Sequence, residues 1–265
     1  MGTASLNGSD SLNDELTGGS GNDEINGNAG NDLLVGNAGN DILNGGAGED
    51  TLRAGIGNDV YRVDSAGDQV LEELNAGIDT VQASIHYTLG NHLEHLTLTG
   101  QATIGRGNSL NNTLIGNAFN NLLVGGNGND QLQGDSGNDR LNGGNGRDTL
   151  IGGTGRDILV GGRGRDTFLL TSANAADLDI IRDFNSRQDR LAIAKSGFPG
   201  LRGTRLRDSQ FVVGTGALDR FDRVIYNDRS GALFFDRDGI GGAAQVQIAS
   251  LSRKPTLGAS QIVLR

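Results

Sequence analysis

The chain has 265 residues, including 45 glycines, two prolines, no cysteine and no tryptophan. Glycine without a three-residue period excludes a collagen helix, and the lack of cysteine excludes a disulfide-stapled fold. The net charge of −10 is uneven, with 22 acidic and 8 basic residues in 1–170 against 10 and 14 in 171–265. An acidic first part disfavours a nucleic-acid partner, and no apolar stretch approaches the about 18 residues of a membrane span.

A nine-residue unit repeats from residue 9 onward. Its clearest copies are GGNGNDQLQ at Gly125–Gln133 and GGNGRDTLI at Gly143–Ile151, written generally as G-G-x-G-x-D-x-U-x, where U is a large apolar residue. Glycine permits a tight turn with positive φ. The aspartate and the carbonyls of the turn are hard oxygen donors, which suit calcium. The U residue belongs to a short strand and points inward, as in calcium-binding β-helix repeats.

The repeat forms two unbroken arrays, residues 9–62 and 107–169. Their sixth positions are Asp14, Asp23, Asp32, Asp41, Asp50 and Asp59, then Asn112, Asn121, Asp130, Asp139, Asp148, Asp157 and Asp166. Their U positions, all apolar or aromatic, are Leu16, Ile25, Leu34, Leu43, Leu52 and Tyr61, then Leu114, Leu123, Leu132, Leu141, Leu150, Leu159 and Phe168. One unit cannot bury its apolar side chain alone, so units must stack. The predicted fold is all-β, a parallel β-roll or β-helix solenoid with calcium between its turns and a β-rich C-terminal cap.

Two units make one coil, so each unit stacks on the next but one. Aspartates 18 residues apart then form columns with a coil spacing of about 4.7–4.9 Å, in which carboxylates repel unless a cation lies between them. We predict about five to eight calcium ions, bound by the eleven repeat aspartates. Asn112 and Asn121 lack the charge and predict weaker or unfilled sites. Backbone carbonyls of the turns complete the predicted ligand set, among them those of Gly18, Gly36, Gly45, Gly125, Gly134, Gly143, Gly152 and Gly161.

Two segments lie outside the repeat. Residues 63–106 carry alternating apolar stretches at 70–74, 80–85 and 93–98, which predict strands of an irregular solenoid spacer. For Asp64, Asp68 and Asp79 in this spacer, turn capping is favoured over cation binding. Residues 171–265 predict strands at 179–184, 190–193, 223–227, 232–236, 246–249 and 261–264, with a hairpin turn at 228–231. The predicted domains are 1–62, 63–106, 107–170 and 171–265, the last being a cap and a secretion segment.

Catalytic motifs are weak. Gly134–Gly137 spells GDSG, as around a serine nucleophile, but it falls in register as the start of a repeat unit. The three histidines, His86, His92 and His95, lack the HExxH spacing of a zinc site. We therefore predict that the chain is not an enzyme.

The arrays at 9–169 resemble the RTX (repeats-in-toxin), hemolysin-type family. Asp59–Ser65, Gly77–Val81 and Tyr87–Leu89 are similar to spacers between RTX arrays, while Asp179–Phe184 and Asp189–Leu191 are similar to the segment that follows the arrays in secreted proteases and alginate epimerases. The resemblance implies a parallel β-roll with calcium held by aspartate and backbone carbonyl oxygens. It also implies type I secretion through an uncleaved C-terminal signal. Secreted proteases of this kind often end in an acid followed by apolar residues, and the terminal Arg265 departs from that pattern.

The leading functional hypothesis is a secreted, non-enzymatic calcium-binding β-roll whose folding is triggered by extracellular calcium. Residues 1–13 lack the features of a cleaved signal peptide, so secretion requires a signal elsewhere. The alternatives are the C-terminal module of a secreted protease, lipase or polysaccharide epimerase, and a structural surface adhesin. Outward apolar residues could contact a polysaccharide, a cell surface or another copy of the chain: Leu33, Val35, Leu122, Val124, Ile158 and Val160.

Overall fold

A computed structural model describes residues 2–265 and divides the chain into two compact units, Met1–Asn117 and Ala118–Arg265. The described residues form strands and three short 3-10 helices, Lys195–Gly197, Asp208–Gln210 and Ala259–Gln261, with no α-helix. No helix in this range is long and apolar enough to cross a membrane. The predicted all-β parallel solenoid is confirmed.

The strands of the first unit are β1 (Ser5–Asn7), β2 (Glu15–Thr17), β3 (Glu24–Ala29), β4 (Leu33–Ala38), β5 (Ile42–Ala47), β6 (Thr51–Ile56), β7 (Val60–Val63), β8 (Gln69–Val70), β9 (Thr80–Ala83), β10 (Tyr87–Thr88), β11 (His95–Leu98), β12 (Ile104–Arg106) and β13 (Thr113–Ile115). The strands of the second unit are β14 (Leu122–Asn127), β15 (Gln131–Gln133), β16 (Arg140–Gly146), β17 (Thr149–Ile151), β18 (Ile158–Gly164), β19 (Thr167–Leu170), β20 (Asp179–Ile181), β21 (Arg190–Ile193), β22 (Phe211–Val213), β23 (Val224–Asn227), β24 (Ala232–Phe235), β25 (Val246–Leu251) and β26 (Ile262–Leu264).

In the first unit, each strand of an array pairs in parallel with the next but one. One face runs β1-β3-β5-β7-β9-β11-β13 and the other β2-β4-β6-β8, with β10 beside β12. Leu34 lies opposite Leu52, and Ile25 lies opposite Leu43. Since these partners are 18 residues apart, the predicted stacking of every unit on the next but one is confirmed.

The U residues form the core, as predicted. Tyr61 and Phe168 are fully buried and the other U residues from Ile25 onward are at most 1% exposed. The exception is Leu16, which is only half-buried because it lies in the short strand β2 near the start of the unit.

The turns require a backbone conformation that few residue types adopt. The second position of the unit has positive φ, with Asn28 at 75°, Asn37 at 79° and Gly46 at 86°. Glycine and asparagine are the residues that tolerate this left-handed conformation. The glycine-rich half of the motif therefore bends the chain between strands.

The spacer strands continue the same pairing. β9 pairs with β7 and β11 with β9, all in parallel, so the strands predicted at 80–85 and 93–98 are confirmed. The stretch predicted at 70–74 is not a strand beyond Val70, because the chain turns after β8.

The second unit contains two sheets, β15-β17-β19-β21-β26 and β14-β16-β18-β20-β25-β24-β23-β22. Beyond residue 170, β20 pairs with β18 and β21 with β19, still in parallel. Phe168 is thereby covered, with its ring centroid 6.0 Å from that of Phe184. The predicted strands of this region are observed, and β23 and β24 form the predicted antiparallel hairpin.

Candidate metal sites in the aspartate columns

The repeat aspartates of the first unit form two columns. Along each column, the backbone N–H of one aspartate donates to Oδ1 of the aspartate one coil later. The donor–acceptor distances are 2.8 Å for Asp14 to Asp32, 2.8 Å for Asp32 to Asp50, 2.7 Å for Asp23 to Asp41 and 2.6 Å for Asp41 to Asp59. The columns predicted from the 18-residue spacing are therefore present.

The second unit repeats this arrangement. Its N–H to Oδ1 distances are 2.9 Å for Asp130 to Asp148, 3.0 Å for Asp148 to Asp166, 2.7 Å for Asn121 to Asp139 and 2.7 Å for Asp139 to Asp157. Asn121 donates its backbone N–H to Asp139, and its side chain is a neutral amide where the following units carry a carboxylate.

The second carboxylate oxygen distinguishes the middle of a column from its start. At the start, Oδ2 of Asp14 accepts from the backbone N–H and hydroxyl of Ser9, and Oδ2 of Asp23 accepts from the N–H of Gly19. Within residues 2–265, no hydrogen-bond donor reaches the buried Oδ2 of the aspartates that follow, namely Asp32, Asp41, Asp50, Asp59, Asp79, Asp139, Asp148, Asp157 and Asp166. A buried carboxylate oxygen without a donor is costly, and a cation is the partner that would satisfy it.

Burial makes these carboxyl groups hard to ionise without a cation. Desolvation is the largest cause that raises their pKa, to about 6 for Asp50, Asp59, Asp148 and Asp166 and to about 7 for Asp139. In contrast, backbone donors from Gly19 and Ala4 lower the pKa of Asp23. The chemistry of the middle carboxylates fits a hard divalent cation.

Glycine at the first position of the unit allows a carboxylate and a carbonyl to converge. A Cβ placed on Gly18 would lie 2.5 Å from Oδ2 of Asp23 and 2.8 Å from the carbonyl oxygen of Gly36, one coil later. Any larger residue would collide with both oxygens. The carbonyl of Gly18 itself, a predicted ligand, accepts a hydrogen bond from the Asn37 side chain at 2.9 Å.

The columns are longer than the sequence predicted. Asp68 and Asp79 extend the two columns of the first unit, accepting the N–H of Asp50 at 3.1 Å and of Asp59 at 2.8 Å. Only Asp68 could have been found by counting, since it lies 18 residues after Asp50. Asp68 also caps a turn, because its Oδ2 accepts from Asp64 and Ser65. Asp79 lies fully buried in its column.

The second unit is extended in the same way. The N–H of Asp166 donates to Oδ1 of Asp189 at 3.0 Å. Asp179 takes the corresponding place beside Asp157, where burial first and the neighbouring Asp157 carboxylate second raise the pKa of Asp179. Asp166 is therefore an internal residue of its column, because β21, which follows Asp189, pairs in parallel with β19. Asp189 is the end residue, and its Oδ2 accepts from the N–H of Asn185 at 2.7 Å.

Both the oxygen and the amide group of the Asn112 side chain have hydrogen-bond partners within the protein. Its side-chain oxygen accepts from Asn108 at 2.8 Å, and its amide donates to the carbonyls of Leu93 and Glu94 at 3.0 and 3.2 Å. These contacts do not need a cation, which is the physical reason to expect a weaker site here.

A second ladder runs through the fifth position of the unit and was not predicted. The side-chain oxygens of Asn13, Asn22 and Asn31 accept the N–H of the residue one coil later at 2.8, 2.8 and 3.0 Å. Neutral amides therefore align neighbouring coils beside the charged columns.

The catalytic candidates fall into structural roles. Ser136 lies in a repeat turn, where its hydroxyl accepts from that of Thr154 at 3.1 Å. Nδ1 of the exposed His86 accepts from the N–H of Thr103 at 3.3 Å.

The raised carboxyl pKa values predict an inverted pH dependence for the calcium-free chain. An acid whose pKa is higher in the folded state binds its proton more tightly there, so its stabilising effect is complete below about pH 4 and is lost as the pH rises through about 6 to 7. We expect calcium-free protein to retain more β structure at about pH 5 than at about pH 8. Circular dichroism in excess chelator measures this, and more β structure at the higher pH would contradict it.

The family model of the RTX calcium-binding nonapeptide repeat (4 copies) matches residues 8–43, 26–61, 35–69, 106–141 and 133–168. A search of curated proteins gives no match. Among solved structures, the chain is similar to the extracellular lipase LipA from Serratia marcescens, at 22% identity and a TM-score of 0.27, over 95% of this chain and 40% of the lipase. This chain thus corresponds to less than half of that lipase's length. Through residues 8–69 and 106–168, the chain belongs to the RTX calcium-binding nonapeptide-repeat family.

Proposed function

We propose that this chain is a secreted, non-enzymatic β-roll whose folding is driven by extracellular calcium. The observation that carries the proposal is the series of stacked, buried carboxylates whose Oδ2 atoms receive no hydrogen bond in the described residues. Their ladder fixes Oδ1 and leaves Oδ2 to a cation. The proposed ligands are the eleven repeat aspartates together with Asp68, Asp79, Asp179 and Asp189, and carbonyls of the glycine turns.

Calcium is the ion that this donor set favours. Carboxylate and carbonyl oxygens are its preferred ligands, and a flexible set of six to eight oxygens suits it better than magnesium, which demands an octahedron and keeps its waters. When bound, the ion supplies positive charge between carboxylates that otherwise repel. The proposed role of the acidic columns is therefore structural and not catalytic.

Calcium binding makes folding depend on whether the chain is inside or outside the cell. Extracellular calcium modules bind at about 10⁻⁴–10⁻³ M, far above cytosolic calcium. We propose that the chain stays unfolded and export-competent inside the cell and folds outside. RTX repeat proteins are typically secreted, and type I secretion machinery is the proposed partner.

Calorimetric titration tests the binding itself. We expect several equivalents of calcium to bind to calcium-free protein, and an equal concentration of magnesium to displace little of it. Absence of calcium binding at about 10 mM, well above the range for extracellular modules, would overturn the proposed function.

Removal of residues 171–265 should weaken both folding and export. β20 and β21 pair with β18 and β19, so the deletion exposes two strand edges, which favours aggregation. We expect the truncated chain to need more calcium to fold, measured by circular dichroism, and to stay inside a host that has a type I exporter. Folding at an unchanged calcium concentration would contradict the capping role, and continued secretion would contradict the export role.

A further inference from the structure

Three carboxylates meet where the first array joins the spacer. One oxygen from each of Asp59, Glu72 and Asp79 lies within 4.8 Å of the others. Asp59 belongs to the ninefold repeat, whereas Glu72 and Asp79 belong to the spacer and lie outside the repeat pattern. This group differs from the columns because a third acidic side chain enters it.

Glu72 reaches this place through the register of the coils. Val70 lies opposite Leu52, and the Tyr61 hydroxyl contacts both Glu72 and the N–H of Ala54. Ala54 stands at the first position of its unit, as Gly18 and Gly36 do in the two preceding coils, where a Cβ would point at the column carboxylate. A glutamate at this position therefore sends its carboxylate into the column from the side.

The position of the Glu72 carboxylate is fixed by Tyr61. The buried phenol hydroxyl of Tyr61 donates to Oε2 of Glu72 and accepts the N–H of Ala54 at 3.0 Å. The backbone N–H of Glu73 donates to Oε1 of Glu72 at 2.9 Å. Tyr61 stands at a U position where the other units carry leucine, isoleucine or phenylalanine, none of which offers a hydroxyl group to a glutamate.

The buried carboxylates of this group also lack hydrogen-bond donors. Asp79 is fully buried and Asp59 is 1% exposed, and in the described residues no donor reaches Oδ2 of either. Burial is also the largest cause that raises the pKa of Asp79, to about 7, with Glu72 and Asp59 adding repulsion. Three neighbouring acids with two unpartnered oxygens require positive charge between them.

We propose that Asp59, Glu72 and Asp79 form a calcium site of their own, distinct in chemistry from the two-aspartate gaps of the arrays. It rests on the proposed function and deepens it, since it gives the gap between Asp59 and Asp79 a third carboxylate and assigns the tightest calcium ion to it. Calcium affinity rises with the number of charged ligands and with the rigidity of the site. The site has three carboxylates and a glutamate held at both oxygens, so it fills first during a calcium titration and ties the spacer to the first array.

Equilibrium dialysis of the full chain with calcium alone tests the site. Glu72→Gln keeps the acceptor for Tyr61 and removes one charge. We expect this variant to lose the tightest calcium ion, with that affinity falling by roughly tenfold or more, while the remaining ions bind as before. Glu73→Gln is the matched control, because Glu73 is exposed and carries the same charge. A tightest site of equal affinity in both variants overturns the proposal.

Terbium provides a second readout that does not depend on the Glu72 variant. The chain has three tyrosines and no tryptophan, so emission excited through the phenol reports terbium near a tyrosine. We expect the first equivalent of terbium to give emission that Tyr61→Phe removes and Tyr226→Phe retains. Equal early emission from both variants overturns the site. If the native chain binds no calcium, the proposed function fails as well, whereas normal binding to the arrays with an unaffected Glu72→Gln variant refutes this site alone.

Discussion

Chelation of calcium is expected to convert the repeat arrays from β-rich to largely unfolded. The core offers one large apolar residue per nine, and ordering 45 glycines carries a high entropic cost. Without a cation, the stacked carboxylates repel each other and bury oxygens that receive no donor. Each occupied site stabilises the fold by about 1.4–2.7 kcal/mol at ten- to hundredfold excess of calcium over its Kd, so several sites together decide whether the chain folds.

Circular dichroism and hydrogen exchange measure this change. Protein in excess chelator is compared with protein in calcium, and magnesium at the same ionic strength is the control. We expect β signal and exchange protection to return with calcium and not with magnesium. Unchanged β content and protection in chelator would show that apolar packing alone holds the solenoid.

The position of an aspartate within its column should determine how much calcium binding and how much stability are lost when it is replaced. Asp32 lies between Asp14 and Asp50 and borders two gaps, whereas Asp14 starts the column and has Oδ2 already bonded to Ser9. We expect Asp32→Ala to lose up to two calcium ions and Asp14→Ala at most one. The calcium midpoint for folding should rise further for Asp32→Ala, because more of the metal-linked stabilisation is lost.

In the second unit, we expect replacement of Asp148 to lose more calcium than replacement of Asp189. Asp148 is an internal residue of its column, as is Asp166, whereas Asp189 lies at the end. Bound calcium is counted by equilibrium dialysis, and the folding midpoint is read by circular dichroism. Asp10→Ala is the control, because Asp10 is exposed and outside the columns. Equal losses from Asp32→Ala and Asp14→Ala would mean that the gaps between coils are not the binding sites.

Much of this architecture follows from the period of the sequence. Nine residues with one inward apolar side chain make half a coil, so the pairing of Leu34 with Leu52 and the column through Asp32 and Asp50 could be predicted by counting. Counting by eighteen residues succeeds because each strand and each turn keeps the same length from coil to coil, so the aspartates stay in register. For the same reason, the U residues of the core could be named in advance.

Only the tertiary structure revealed how the columns continue beyond the strict repeat. Asp79 lies 20 residues after Asp59 and Asp189 lies 23 after Asp166, so counting by eighteen misses both. Parallel strands fix the register through their backbone hydrogen bonds, and loops outside those strands can lengthen without disturbing it. The contact of Glu72 with Tyr61 depends on this pairing as well. Where the repeat is strict, sequence alone determines which residues meet, and where it breaks, strand pairing decides.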